Sequence, residues 1–381
     1  MSITHSIILI KQVHIPSTSI SLSSSTTFPK AKQRRKLNFP AYCSLEPLST
    51  TSPNSTASTA MATTSADDEI AYDYSPFLKI YKNGRIERLF GTDVVPPSLD
   101  PETGVECKDV VISSETGVSA RLYLPRIPSG DRRRLPLVVY FHGGGFCVDT
   151  PFCAKYHHAV KTLVAESGVV AVSVHYRLAP ENPIPIPYDD SWVAVEWVAS
   201  HSDGTGPDEW LNTHADFRRV FFAGDSAGAN IAHNVAVRAG VLGRPAGLNL
   251  AGIVLVHPYF WGSEPVGNEP KEPEKRTMAE GIWRFAYPTT PNGSDDPWMN
   301  PAKDPDVGKV AGKRVLVFVA EKDGLRERGW FYKEVLEGSG WGGTVEVVEA
   351  KEDDHVYHLS NPTCDNAVAL VKKIASFVNQ D

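Results

Sequence analysis

The sequence predicts an α/β architecture: a mostly parallel central sheet, helices on both faces, and a lid over one edge. Two observations carry this prediction. Short continuous apolar runs recur at residues 135–141, 169–174, 220–223, 250–256, 314–320 and 344–348, with stretches of helical period between or after them. One run leads into Gly224-Asp225-Ser226-Ala227-Gly228 and then into a helical stretch at 229–239. That is the strand–turn–helix setting in which a strained backbone holds a serine hydroxyl out at the end of a sheet.

Composition narrows the function classes. At 381 residues the chain has room for one large α/β domain or two small ones. Hydrophobic residues make up 41% and charged residues 22%, so no disorder-dominated reading is needed. The net charge of -7, with Lys and Arg scattered, gives no support to nucleic-acid binding. No apolar run approaches the roughly 20 residues of a membrane span. None of the five cysteines (Cys43, Cys107, Cys147, Cys153, Cys364) sits in a CxxC pair, which leaves zinc and redox-motif readings without support. Free thiols in a reducing compartment are expected. No histidines form a metal-spaced cluster, and neither a metal nor a cofactor is implied.

Residues 1–65 are rich in Ser and Thr, carry Lys30, Lys32, Arg34, Arg35 and Lys36, and hold one acid, Glu46. Ser-rich, basic and acid-poor describes an organelle transit peptide, here a disordered one. The excess of hydroxyl residues over arginine favours plastid over mitochondrion; a non-targeting tail is the alternative. Met61 offers a second start that would produce a cytosolic form.

The folded domain is expected over 66–381. Residues 72–80 and 84–90 form a short amphipathic stretch, broken at Pro96-Pro97. Residues 105–112 and 118–124 alternate as paired strands around a turn at Glu115-Thr116-Gly117. Asp131-Arg132-Arg133-Arg134 reads as a solvated loop. The 135–141 run, apolar throughout, predicts a central strand covered on both faces. His142-Gly143-Gly144-Gly145-Phe146 follows it, then a helix over 154–166, and the 169–174 strand. Prolines 183, 185 and 187 make an extended segment before a helix over 188–200. Residues 261–301 are rich in Pro and Gly and break the alternation. We read them, with 66–92, as the lid.

The chemistry-bearing residues lie where the predicted strands end. Gly224 and Gly228 flank Ser226 because the turn is too tight for side chains there. The Ala227 amide opens the following helix, and Gly144 and Gly145 follow the strand beside it; the three together make an oxyanion hole. His142 reads as structural. A serine nucleophile needs a base, and the base needs an orienting acid, in the order Ser, acid, His. Asp323 follows the 314–320 strand, with Glu321 as the alternative acid. His355 lies in the loop after the 344–348 strand, with His358 as the alternative base. His355 would take the Ser226 proton, and Asp323 would fix its tautomer.

The motifs His142-Gly143-Gly144-Gly145-Phe146, Tyr176-Arg177-Leu178-Ala179-Pro180, Gly224-Asp225-Ser226-Ala227-Gly228 and Asp354-His355-Val356-Tyr357-His358 resemble those of the plant carboxylesterases. These are the plant branch of the hormone-sensitive-lipase-like α/β hydrolases and include the gibberellin-receptor relatives. The resemblance covers Asp67 to the C-terminus and implies an α/β-hydrolase fold. It puts the triad on Ser226, Asp323 and His355 and the oxyanion donors on Gly144, Gly145 and Ala227. His175 and Lys351 depart from the family pattern without touching that chemistry.

The leader, and the segment from Phe260-Trp261-Gly262 to Glu269, further resemble the plastid tuliposide-converting enzymes of tulip. That resemblance implies transesterification of a 6-acyl glucose within the acyl chain itself, releasing an α-methylene lactone and glucose. The remaining readings are a general carboxylesterase, a receptor of the gibberellin type, and a non-catalytic plastid binding protein. The receptors lack the final histidine, which is present here as His355. The partner expected is a small ester, with no nucleic acid and no membrane; a homodimer is compatible with the family.

Overall fold

A computed structural model describes residues 69–128 and 130–380. The leader at 1–65, with Cys43 and Met61, lies outside the described residues.

The first described segment is a small antiparallel sheet of β1 (Ile70–Tyr74), β2 (Leu78–Tyr81) and β3 (Ile86–Arg88). The amphipathic stretch expected at 72–80 and 84–90 is therefore a meander. In β2 the two end residues, Leu78 and Tyr81, are buried and the two between them are half-buried. Arg88 ties it to the body by bonding the Cys147 carbonyl at 2.7 Å and the Glu181 carboxylate at 2.6 and 2.8 Å.

The main sheet has eight strands: β4 (Glu106–Val111), β5 (Ser119–Leu124), β6 (Leu135–Phe141), β7 (Val170–His175), β8 (Ala215–Asp225), β9 (Leu250–Val256), β10 (Arg314–Ala320) and β11 (Thr344–Ala350). Their order is β11-β10-β9-β8-β6-β7-β5-β4. Strands β6 to β11 run parallel, while β5 is antiparallel to both β7 and β4.

Helices α1 (Ala154–Ser167) and α8 (Asp365–Asn379) pack on one face. Helices α2 (Ile186–Ala199), α4 (Ala227–Leu242) and α6 (Arg326–Gly338) pack on the other. Alternate residues of one strand serve opposite cores: Leu137, Val139 and Phe141 belong to the α2/α4/α6 side, Val138 and Tyr140 to the α1/α8 side. This explains why the strand reads as unbroken apolar sequence. Short α3 (Glu209–His214) precedes β8, and α7 (Tyr357–Ser360) precedes α8.

Three expectations are corrected. Strand β8 begins at Ala215, five residues before the apolar run; its first half carries Asp216, Arg218 and Arg219 and is irregular in register with both neighbours, which hid it from a reading of apolar runs. Helix α2 starts at Ile186, so Pro187 lies in its first turn, where no N–H is required, and not in an extended segment. The 261–301 insert contains a 14-residue helix, α5 (Pro273–Ala286), opened by Pro273. It buries Arg276, Ala279, Trp283 and Ala286, a helical period that the surrounding Pro and Gly obscured.

Candidate active site

Because β6, β8, β10 and β11 are parallel, their carboxyl ends share one edge of the sheet, and the loops leaving them meet there. Ser226 stands between β8 and α4 at φ 51° and ψ -118°, a left-handed conformation that costs energy for a side-chain-bearing residue. The chain crosses the end of β6 so closely that a Cβ on Gly228 would overlap the Phe141 and His142 carbonyls. One on Gly224 would overlap the backbone of Gly228. The glycines thus clear β6 and each other, and not the serine itself.

Three side chains distant in sequence form a hydrogen-bonded line. Ser226 Oγ lies 2.9 Å from His355 Nε2, and His355 Nδ1 lies 2.8 Å from Asp323 Oδ2. The second oxygen of Asp323 accepts the Leu325 N–H at 2.9 Å. The Asp323 side chain is buried and that of His355 is 28% exposed. Burial pulls the His355 pKa down, but the charge and hydrogen bond of Asp323 outweigh it and hold the imidazole above its ordinary value. The same imidazole keeps Asp323 below the usual carboxylate range against a burial effect of opposite sign.

The alternatives sit elsewhere. Glu321 turns outward, accepting the Glu352 N–H at 2.9 Å beside Lys351. His358 is the second residue of α7, is buried, and has no hydrogen-bond partner on either ring nitrogen among the described residues. His142 is also buried, stacked on Tyr176 with centroids 4.3 Å apart, and burial pushes it down to about 3.

The glycine run leaves β6 with Gly144 at φ 93° and Gly145 at φ 60°. A Cβ on Gly144 would overlap the Val148 carbonyl, and one on Gly145 would lie 3.2 Å from Ile282 of α5. The insert therefore rests directly on this loop. The N–H groups of Gly144, Gly145 and Ala227 have no partner among the described residues, whereas that of Gly143 bonds Tyr156 Oη at 2.8 Å.

Two further residues escaped the sequence reading. His257, directly after β9 at the same edge, accepts the Val356 N–H at 2.9 Å through Nδ1 and so braces the residue after His355, itself left-handed at φ 49°. Its place immediately after a strand was the available signal. Asp225 lies under the elbow, bonded by Tyr140 and Tyr156 at 2.8 and 2.7 Å. His257, Asp323 and His355 also bring metal-ligand atoms within 4.8 Å of one another. Both ring nitrogens of His355 already bond Asp323 and Ser226, so a cation would have to break one of those bonds to enter. Cys107, Cys147, Cys153 and Cys364 are free thiols. Among the described residues, no helix is long and apolar enough to cross a membrane.

Comparison with known proteins adds context to this geometry. A family profile described as alpha/beta hydrolase fold matches residues 138–359. The chain is 47% identical over 315 residues to probable carboxylesterase 7 of Arabidopsis thaliana, covering 82% of this chain and 100% of that one. It is 48% identical over 318 residues to the chloroplastic tuliposide A-converting enzyme 2 of Tulipa gesneriana, covering 83% and 80%. Among solved structures, an esterase from Pyrobaculum calidifontis superposes with a TM-score of 0.59 at 28% identity, covering 72% of this chain and 82% of that one.

Proposed function

The chain belongs to the plant carboxylesterase branch of the α/β-hydrolase family, and on that premise we propose that Ser226, His355 and Asp323 catalyse acyl transfer from a small carboxylic ester. The observation that carries the reading is the continuous Ser226–His355–Asp323 hydrogen-bonded line. Ser226 Oγ attacks the ester carbonyl carbon as its proton passes to His355 Nε2. The carbonyl oxygen becomes an oxyanion facing the amides of Gly144, Gly145 and Ala227. The bond to the leaving alcohol breaks, and that oxygen takes the proton from His355. A second hydroxyl then attacks the acyl-enzyme carbonyl, giving its proton to His355, which returns it to Ser226 Oγ as the acyl group leaves.

The identity of that second hydroxyl separates two outcomes. We propose that it is the terminal hydroxyl of the acyl chain, so that a 6-acyl glucose of the tuliposide A or B type yields an α-methylene lactone, a tulipalin, and glucose. An internal nucleophile has an effective molarity of about 10⁵–10⁸ M and outruns water if the site holds the chain folded. The insert, with Ile282 against Gly145, would serve as the lid that keeps water away. The 48% identity to the tulip enzyme supports this reading, as does the Ser-rich leader, which we take to direct the protein to plastids. A water-using carboxylesterase is the second reading, favoured by 47% identity to an Arabidopsis relative.

Incubation with a 6-acyl glucose bearing a terminal hydroxyl tests the choice: lactone as the main product is expected, and free hydroxy acid would overturn the lactonising proposal. Acyl chains with and without an extra 3-hydroxyl separate A-type from B-type preference. A serine-directed organophosphate that fails to label Ser226, with no turnover of p-nitrophenyl acetate, would sink the acyl-transfer reading altogether.

A further inference from the structure

One phenol joins the two glycine motifs. Tyr156, on α1 and 1% exposed, accepts the Gly143 N–H at 2.8 Å and donates to Asp225 Oδ2 at 2.7 Å. Gly143 immediately precedes the unpaired amides of Gly144 and Gly145, and Asp225 immediately precedes Ser226. We propose that Tyr156 is a positioning residue that couples the oxyanion loop to the serine turn, removing Gly143 from the donor set and fixing how far the Gly144 and Gly145 amides stand from Ser226. The proposal rests on the acyl-transfer reading.

The direction of the bonds follows from the groups themselves. An ionised carboxylate only accepts, so the Tyr156 proton points at Asp225 and a lone pair is left for the Gly143 N–H. Tyr140 donates to the other oxygen at 2.8 Å, so both oxygens of Asp225 are held. Burial pushes the Asp225 pKa up to about 6, while the two phenols oppose the rise, leaving the carboxylate ionised at neutral pH. Space makes the same demand. A Cβ on Gly143 would stand 2.5 Å from Asp225 Oδ2 and 2.8 Å from Tyr156 Oη, so only glycine brings the loop this near the carboxylate.

Removal of the phenol oxygen would leave a buried N–H and a buried carboxylate oxygen facing each other. The way to satisfy both is to close the gap between them, which moves the loop towards the turn and misplaces the two amides after Gly143. The oxyanion, and not the ground-state ester, depends on those amides.

The test is Tyr156→Phe in the full chain, assayed with p-nitrophenyl acetate and with a trifluoromethyl ketone, whose adduct with Ser226 carries an oxyanion. We expect kcat to fall about 10–100-fold with little change in KM, and the ketone Ki to rise in parallel. Tyr140→Phe removes a bond to Asp225 but keeps the Gly143–Tyr156–Asp225 bridge, and should lose about threefold at most. Tyr332→Phe removes a buried hydroxyl of α6 that bonds His233 of α4 and touches neither glycine motif, and should leave turnover unchanged.

Wild-type kcat in Tyr156→Phe, an equal loss in Tyr140→Phe, or a fall in kcat with the ketone Ki unmoved would each overturn the proposal. If Tyr156→Phe does not fold, a change at Asp225 carries the test. The replacement to use there is Asp225→Ala, which removes the acceptor of the Tyr156 proton and with it the bridge from Gly143, so a wild-type kcat and ketone Ki in Asp225→Ala would also overturn it. Absence of turnover in the wild type would instead remove the acyl-transfer reading on which the proposal stands.

Discussion

Two clusters in this molecule are built around a buried carboxylate, and they differ in what the carboxylate's partner goes on to touch. In the insert, Glu269 is bonded by Arg276 at 2.9 Å and by Arg328 at 2.5 and 2.8 Å. The Trp261 ring packs against both guanidinium groups, at 4.6 and 5.2 Å. At the sheet edge, Asp323 bonds one imidazole, which bonds one hydroxyl, and the imidazole stays partly open to solvent. The first arrangement has nothing left to give and locks 261–276 onto α6. The second keeps an imidazole nitrogen aimed at the Ser226 hydroxyl.

Backbone conformation divides the same way. Among the described residues, side-chain-bearing positions with positive φ are Phe146, Asp149, Ser226, His257, Glu352 and Val356. All lie in loops leaving β6, β8, β9 or β11 at the carboxyl edge. In the insert, positive φ falls on Gly267 and Gly293, where it costs little. Strain is concentrated where chemistry is proposed, and the surrounding sheet over-determines it.

The contrast is open to attack from the largest effect downwards. Ser226→Ala should lower kcat by roughly four orders of magnitude or more, with circular dichroism and thermal unfolding unchanged. Turnover surviving in that variant would end the assignment.

Asp323→Asn should lower kcat about 10³–10⁴-fold, and it should also move the pH profile. His355 acts as a base only when neutral, and Asp323 raises its pKa against the effect of burial. In the wild type, kcat/KM should therefore fall as pH drops through a value above the ordinary imidazole range. In Asp323→Asn the raising influence is gone, and the fall should appear at lower pH. An unmoved acid limb would show that Asp323 does not set the His355 pKa.

Glu269→Ala should have the opposite signature. Two guanidinium groups would be left buried without their partner, at a cost of about 3–5 kcal/mol in urea unfolding. Turnover per folded molecule should stay far closer to wild type than in the two variants above. A loss of turnover matching that of Asp323→Asn, with stability intact, would erase the distinction between the clusters. The smallest effect is expected at Arg133, whose side chain is 82% exposed and pairs with nearby Asp131. Arg133→Ala should change neither Tm nor turnover measurably.

The meander and the insert were hard to read because their sequence signals are mixed. In α5 the buried period at 276, 279, 283 and 286 includes an arginine, whose charge is received by Glu269 and by the carbonyls of Gly262, Ser263 and Pro270. In the meander, Ile70, Tyr72, Phe77, Leu89 and Phe90 stay exposed, so apolar residues there do not mark an inward face. The central strands had no such ambiguity, since both of their faces meet helices.

The amino-acid sequence alone determined the sheet-and-helix alternation, the serine turn and the order of candidate acid and base, because each rests on local sterics or on burial repeated over a short run. Without the family resemblance, the residues at the end of β10 leave two candidate carboxylates, and it is the tertiary structure that places Asp323 against the imidazole, since Asp323 and Glu321 are two residues apart and the turn after the strand sends one inward. It also decided which histidine reaches Ser226, and that Gly143, unlike Gly144 and Gly145, spends its amide on Tyr156. These are distances between loops from different strands, and their values come from the packing of the whole sheet edge rather than from any one segment.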